Sequence, residues 1–264
     1  MAIDWLAVNQ ALSPIKGYED LRRRFQTSFR YPFVGEIFNF ALPELAAYTT
    51  RLLGGDPRGR YSGYLSSLLS SLDRLQQAEV ADIQDLVARV ETPERFERFS
   101  EQSGISVTDL AAVLKYLIYW VIPGEKYLSG LVREDPLFSQ AIQALRAAGI
   151  RTNLELLQAG RTPAGRQTLA EASGLPAAVI LDLVHRADFS RLPWASKATI
   201  SNIIGSGCAS LAQLASADPE QLYAAFFRYG QSIGKNLKLG NEIENSYRIA
   251  QIVPVVVQGG SGDG

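Results

Sequence analysis

Few side chains in this 264-residue chain are of a type that does chemistry, and their spacing limits what they can do. His185, the single histidine, stands three residues after Asp182 and three before Asp188 on one predicted helix. A carboxylate–imidazole pair in that register is a general base awaiting a nucleophile. Ser190 is the nearest hydroxyl, but it falls past the predicted helix end and off that face, so no catalytic constellation closes. The 70-residue shift described below places Lys115 opposite His185, so the position accepts a generic polar residue. One histidine excludes HExxH zinc sites and histidine pairs, and the single Cys208 excludes disulfide frameworks and multi-cysteine metal sites. Cys208 follows the turn residue Gly207 and takes an apolar position, so it reads as a small buried hydrophobe.

GQSIGKN (230–236) has a superficial likeness to a phosphate loop. It is one residue short between its glycines, has Asn236 where a metal-binding hydroxyl belongs, and follows no strand. It reads as a loop between helices, with Arg228, Lys235 and Lys238 on a solvated face. The expectation is no catalytic residue, no metal site and no cofactor. The other concentrated chemistry lies in the first seventy residues, where Arg22, Arg23 and Arg24 neighbour Phe25, Phe29, Tyr31 and Phe33. Arginine beside aromatics suits a protein interface, the stacking of single-stranded nucleic acid, or plain core. Lysine plus arginine (26) nearly balances aspartate plus glutamate (27), which removes a global basic field and favours a protein partner over nucleic acid. The acidity concentrates in 71–135, at +7/−12.

The elements that must position these residues are helices. The chain is 47% hydrophobic, an ordinary globular composition, with no hairpin dipeptides and no long alternating runs. The most apolar stretch, Ala111–Ile122, is too short to span a bilayer, and no secretory leader precedes the first helix, so a cytoplasmic protein without a membrane span is expected. Shifting the sequence by 70 residues aligns Leu72–Pro123 with Ile142–Pro193 without a gap. The identities fall on caps, breakers and core positions: Leu75/Leu145, Leu86/Leu156, Thr92-Pro93/Thr162-Pro163, Gly104/Gly174 and Pro123/Pro193 among them. Each Thr-Pro predicts an N-cap with proline at the first helical position, and each Ser-Gly about ten residues on predicts a left-handed helix end. A second helix follows, Val107–Tyr119 in one copy and Ala177–Ala187 in the other. The turn residue Gly149 is Glu79 in the first copy, and because Glu disfavours positive φ, that turn is expected to differ. A partial third copy, 200–226, repeats the order with Gly207 and Asp218-Pro219.

The stretch 156–196 resembles an uncharacterised bacterial family of tandem helix-hairpin-helix-like domains, a domain of unknown function. Thr162, Pro163, Gly165, Arg166, Leu169, Ala170, Gly174, Ala187, Asp188, Arg191 and Leu192 carry the resemblance, which covers about 140–225. It implies a fold and no catalytic residues. Helix-hairpin-helix proteins often hold DNA phosphate at a glycine-bearing hairpin, but the equivalent stretch here is Leu192-Pro193-Trp194-Ala195-Ser196-Lys197, with both glycines replaced. In the first copy it is Ile122-Pro123-Gly124-Glu125-Lys126.

The expected architecture is all-α: an aromatic-rich helical region (1–70), a first helix-hairpin-helix-like repeat (71–140), and a second repeat with a partial third (141–226). A C-terminal helix, an edge strand or extended arm at Ile252–Val257, and a flexible GGSGDG tail complete it (227–264). Asp188 and Arg191 are expected to tie the end of their helix by a charged hydrogen bond, and Leu117, Ile118, Trp120 and Val121 to bury or to form a patch. The expected function is a non-enzymatic protein–protein adaptor or scaffold subunit, self-assembling or binding another protein. Its candidate interface is Arg22, Arg23, Arg24, Phe29, Tyr31, Phe33, Trp120, Ile252 and Val257. The alternative is a nucleic-acid-binding protein that uses Lys126 and Lys197, at helix starts, as phosphate contacts.

Overall fold

Thr92, Thr162 and Asp218 each stand before a proline, and each accepts a hydrogen bond from a backbone N–H of the helix it starts. The punctuation read from the sequence is therefore the punctuation of the fold. The structure is a computed structural model and describes residues 4–56, 58–133, 135–237 and 239–259. The tail from residue 260 on lies outside these residues, as do Pro57 and Lys238. The fold is all-helical: among the described residues there is no strand, only two isolated β-bridges.

The chain forms two compact units, residues 1–124 and 125–264. Unit 1 holds α1 (Trp5–Leu12), α2 (Tyr18–Phe29), α3 (Pro32–Phe38), α4 (Leu42–Gly54), α5 (Ser62–Gln77), α6 (Ile83–Arg89), α7 (Pro93–Ser103) and α8 (Val107–Tyr116). Helix α8 packs against α1 and α5, and α5 against α4. Phe33, Phe38, Leu45, Leu52, Phe96 and Tyr116 are fully buried in this core. Tyr116 donates its hydroxyl to Thr49 Oγ1 at 2.9 Å, so the deepest phenol is satisfied. The helix expected over Val107–Tyr119 changes pitch at Leu117. Residues Leu117–Val121 form a π-helical turn closed by Ile122 N–H on the Leu117 carbonyl at 2.8 Å.

Unit 2 holds α9 (Pro136–Ala147), α10 (Asn153–Gly160), α11 (Pro163–Ser173), α12 (Ala177–Phe189), α13 (Lys197–Gly205), α14 (Leu211–Ser216), α15 (Pro219–Ser232) and α16 (Ile243–Ala250). Helices α10, α11 and α12 pack on one another, α13 on α15, and α14 on α16. Close approach at the first of these corners requires glycine. A Cβ on Gly165 would stand 2.0 Å from the Ala159 carbonyl oxygen.

Helix ends recur at the 70-residue spacing. Helices α5 and α9 end at Gln77 and Ala147, α7 and α11 end at Ser103 and Ser173, and the left-handed residues Gly104 and Gly174 have φ of 66° and 67°. The turn after α5 overturns the expectation drawn from Glu79. Glu79 adopts φ 56°, the same left-handed region as Gly149 at φ 89°. Arg89 supplies the physical reason, because its guanidinium donates to the carbonyls of Ala78 (3.1 Å) and Glu79 (2.8 Å) and holds the turn. The residue at the matching position of unit 2 is Ala159, which can do nothing of the kind, and there the turn carries glycine.

Candidate functional site

In unit 1 the arginine cluster lies on α2, and its charge is largely answered. Arg22 donates to Glu19 at 2.9 Å, and Arg23 and Arg24 both reach Asp20, Arg24 at 3.1 Å. Burial alone would raise the Asp20 carboxyl. Hydrogen bonds from Lys16 N–H, Arg24 and Arg23 outweigh it and hold the group below its ordinary value. Arg23 and Arg24 are exposed, and Arg22 and Phe29 half-buried.

Tyr31, Phe33 and Trp120 do not belong to a surface. Phe33 is fully buried, Tyr31 is buried with Arg30 over its ring, and Trp120 meets the Tyr61 ring edge-on at 5.4 Å. Their aromatic area is taken by the core of unit 1, which removes them from the expected interface. Leu117, Ile118 and Val121 are buried as well. What remains of the cluster borders an apolar concavity of about 250 Å³ between α2 and α6. Leu21, Phe25 and Phe29 face Val87, Ala88 and Val90 across it, with Arg22 and Glu91 among the polar groups. The α6 wall was not foreseen, because Val87 and Ala88 lie some sixty residues from Phe29 in sequence. The apolar run Leu86–Ala88 near the end of the short helix was the only local sign.

In unit 2 the hairpin lysines part company. Lys126 does not start a helix. Its ammonium donates to the carbonyls of Ser190 (2.8 Å) and Ala195 (3.1 Å), and burial lowers its pKa. This is a structural tie between two loops, and it takes Lys126 out of the expected phosphate contacts. Asn153 completes the junction, accepting from Lys126 N–H at 2.7 Å and donating to Ser190 Oγ at 2.9 Å. Ser190 itself donates to the Ala187 carbonyl, so its hydroxyl serves the end of α12. Lys197 is exposed as the first residue of α13, behind the Ser196 cap. Trp194, one of the replaced hairpin glycines, retains a glycine-like backbone with φ 61° and is 61% exposed.

The expected tie between Asp188 and Arg191 is present at 2.6 Å and buried, and Arg191 also donates to the Pro254 carbonyl at 3.1 Å. Through that contact the end of α12 holds the C-terminal segment, which is an extended arm without strand pairing. Gln258 N–H donates to the Arg161 carbonyl at 2.8 Å, and Arg166 donates to the Gln258 carbonyl at 3.1 Å. Val256 turns inward at 2% exposure, while Val255 is 78% exposed, and Ile252 and Val257 are half-buried. The arm, α12 and α14 enclose a cleft of about 610 Å³ with Asp182, His185, Leu181, Ala212 and Val255 on its walls. Cys208 is buried, which pushes its thiol pKa up, as its reading as a hydrophobe requires. GQSIGKN is the end of α15 and a turn at Gly234, φ 65°.

Fold and surfaces together define an all-helical protein with capped helix pairs and no clustered metal ligands among the described residues. No single helix is long and apolar enough to cross a membrane. Residues 135–243, all within unit 2, match a family described as a domain of unknown function (DUF4332). No curated protein and no solved structure matches the chain.

Proposed function

We propose that this chain is a non-enzymatic adaptor or scaffold subunit built on tandem helix-hairpin-helix-like repeats, working in the cytoplasm. The observation that carries the reading is the apolar concavity of unit 1, whose Phe25, Phe29, Val87 and Val90 are bordered by Arg22 and Glu91. An apolar centre with a charged rim is the anatomy of a protein interface, and it is sized for one or two side chains of a partner. Supporting the repeat reading, α6 and α10 begin alike. Their N-caps Asp82 and Thr152 each form an isolated bridge to an incoming segment, at Ala41 and Tyr127.

The nucleic-acid reading keeps one favourable observation, an exposed aromatic ring, Trp194, and an exposed cation, Lys197, three residues apart on the second hairpin. One experiment separates the two. The full chain and its Phe29→Asp variant serve as baits in a quantitative pull-down, and both are titrated against labelled single-stranded DNA at about 50 and 200 mM salt. The adaptor reading expects a protein partner at least about ten-fold depleted on the variant, the loss of one buried anchor. Equal recovery on both baits, with DNA binding that collapses at the higher salt, replaces it with the nucleic-acid reading.

A further inference from the structure

Three arginines of unit 1 line one hollow that the adaptor reading leaves unused. Arg89 ends α6, and Arg95 and Arg98 stand three apart on the exposed side of α7. With Ala88, Phe99 and Gln102 they line a concavity of about 340 Å³. No carboxylate is among the lining residues. Arg89 is fixed in place. It donates to Asp85 at 2.9 Å and to the two turn carbonyls, and its guanidinium lies 5.8 Å from the centre of the Phe99 ring. Arg95 uses one nitrogen, Nη1, on Glu91 (3.1 Å) and on the Ala88 carbonyl (3.2 Å). Its Nε and Nη2, and the Arg98 side chain, make no hydrogen bond among the described residues.

Unit 2 shows that this corner forms without Arg95 and Arg98. The α10–α11 corner has the same threonine cap, the same proline and the same left-handed glycine. At the 70-residue shift, Arg89, Arg95, Arg98 and Gln102 are Ala159, Gly165, Thr168 and Ala172. There Gly165 lies so close to Ala159 that no side chain fits. In unit 1 the corner bears a long cation at that same position, and a hollow lies where unit 2 is shut. Arg89 is accounted for by the turn it clamps; the two further guanidiniums gathered beside it, which unit 2 does without, require a reason other than folding.

We propose that the hollow is a binding site for a phosphate monoester. A phosphate dianion offers three acceptor oxygens to the donors that Arg95 and Arg98 leave open, with Arg89 adding charge from a fixed position. Glu91 competes for Arg95, so its carboxylate limits affinity. The same chemistry could come from a soluble phosphorylated molecule or from a phospholipid headgroup.

The test titrates the full chain with inorganic phosphate in a low-salt buffer free of other oxyanions, followed by calorimetry. In parallel, flotation is measured with phosphatidylcholine vesicles with and without phosphatidic acid. The proteins are wild type, Arg95→Gln/Arg98→Gln, Glu91→Gln and the charge-matched control Arg228→Gln. All substituted residues except Arg228 are on the exposed rim of this corner, and Arg228 is exposed on α15. Saturable phosphate binding, weakened at least about ten-fold in the double variant and strengthened in Glu91→Gln, is expected, with the control unchanged. Binding only to vesicles with phosphatidic acid, lost in the double variant, supports the site with a lipid headgroup as its source. Absence of binding in both arms, or equal binding by wild type and the double variant, overturns the proposal. So does equal weakening in Arg228→Gln, which would mark a general charge effect.

Discussion

Glu79 and Gly149 end their helices by the same hydrogen bonds with different residues. Val80 N–H closes on the Leu75 carbonyl at 3.1 Å and Ile150 N–H on Leu145 at 2.9 Å, which places the intervening residue in the left-handed region whatever its type. A residue with a Cβ is disfavoured there by roughly 1–2 kcal/mol. Opposite signs are therefore expected at the two turns. Glu79→Gly should stabilise by up to about 1 kcal/mol, part of the relief being offset by the greater freedom of glycine in the unfolded chain. Gly149→Ala should destabilise by about 1–2 kcal/mol, with no Arg89 to hold the turn. Urea-unfolding midpoints of the two variants check this, and a fall in both would sink the argument. The same comparison shows Arg89 acting in two ways, as a clamp on the turn and as one wall of the arginine hollow.

Among the elements, α6 and α10 start by one device. Asp85 accepts from Ala81 N–H at 2.9 Å, and Glu155 accepts from Arg151 and Thr152 N–H at 2.6 and 3.0 Å; in both helices the N-cap side chain answers in return. Asp85 is further held by Arg89, and that hydrogen bond is the main reason its carboxyl lies below the ordinary 3.8. The folded state thus binds this proton more weakly than the unfolded state does. The stabilisation is fully present above pH 4 or so and is lost as the pH falls through the folded value. Asp85→Asn should cost no more than about 1 kcal/mol at pH 7, as befits a partly exposed pair, and less at pH 3. Denaturant midpoints at the two pH values measure it; an equal loss at both would show that the charge plays no part. Devices of this kind are legible in sequence because they are local: Thr-Pro, Ser-Gly and the Asp188–Arg191 tie each involve residues a few positions apart. The aromatic cluster was not legible in the same way. Arginine beside phenylalanine and tyrosine has one composition for a core and for an interface, and only tertiary packing decides that Tyr31, Phe33 and Trp120 go inside. The hollow did leave a sign, in the arginines that the 70-residue shift sets against alanine, glycine and threonine. Reading it required knowing that Gly165 shuts the second corner.

At the scale of the whole molecule, the two units each bury a core of their own, Phe33, Phe96 and Tyr116 in one, Leu157, Phe189 and Phe226 in the other. Gly165 offers a way to perturb one core and leave the other untouched, since its neighbours Ala159 and Thr162 lie in unit 2. Gly165→Ala forces a Cβ to 2.0 Å from a carbonyl oxygen, and the backbone must shift, a strain of the order of 1–3 kcal/mol. Two cores that melt separately predict a calorimetric enthalpy larger than the van't Hoff enthalpy in the wild type. In the variant, the component belonging to unit 2 should move to lower temperature while the other stays in place. Scanning calorimetry of both proteins decides it, and a single transition that shifts as a whole would mean that the two cores unfold as one. The outcome bears on function too. If unit 1 keeps its own transition in the variant, its apolar concavity and arginine hollow can be assayed with unit 2 impaired, which assigns any lost partner to the unit that held it.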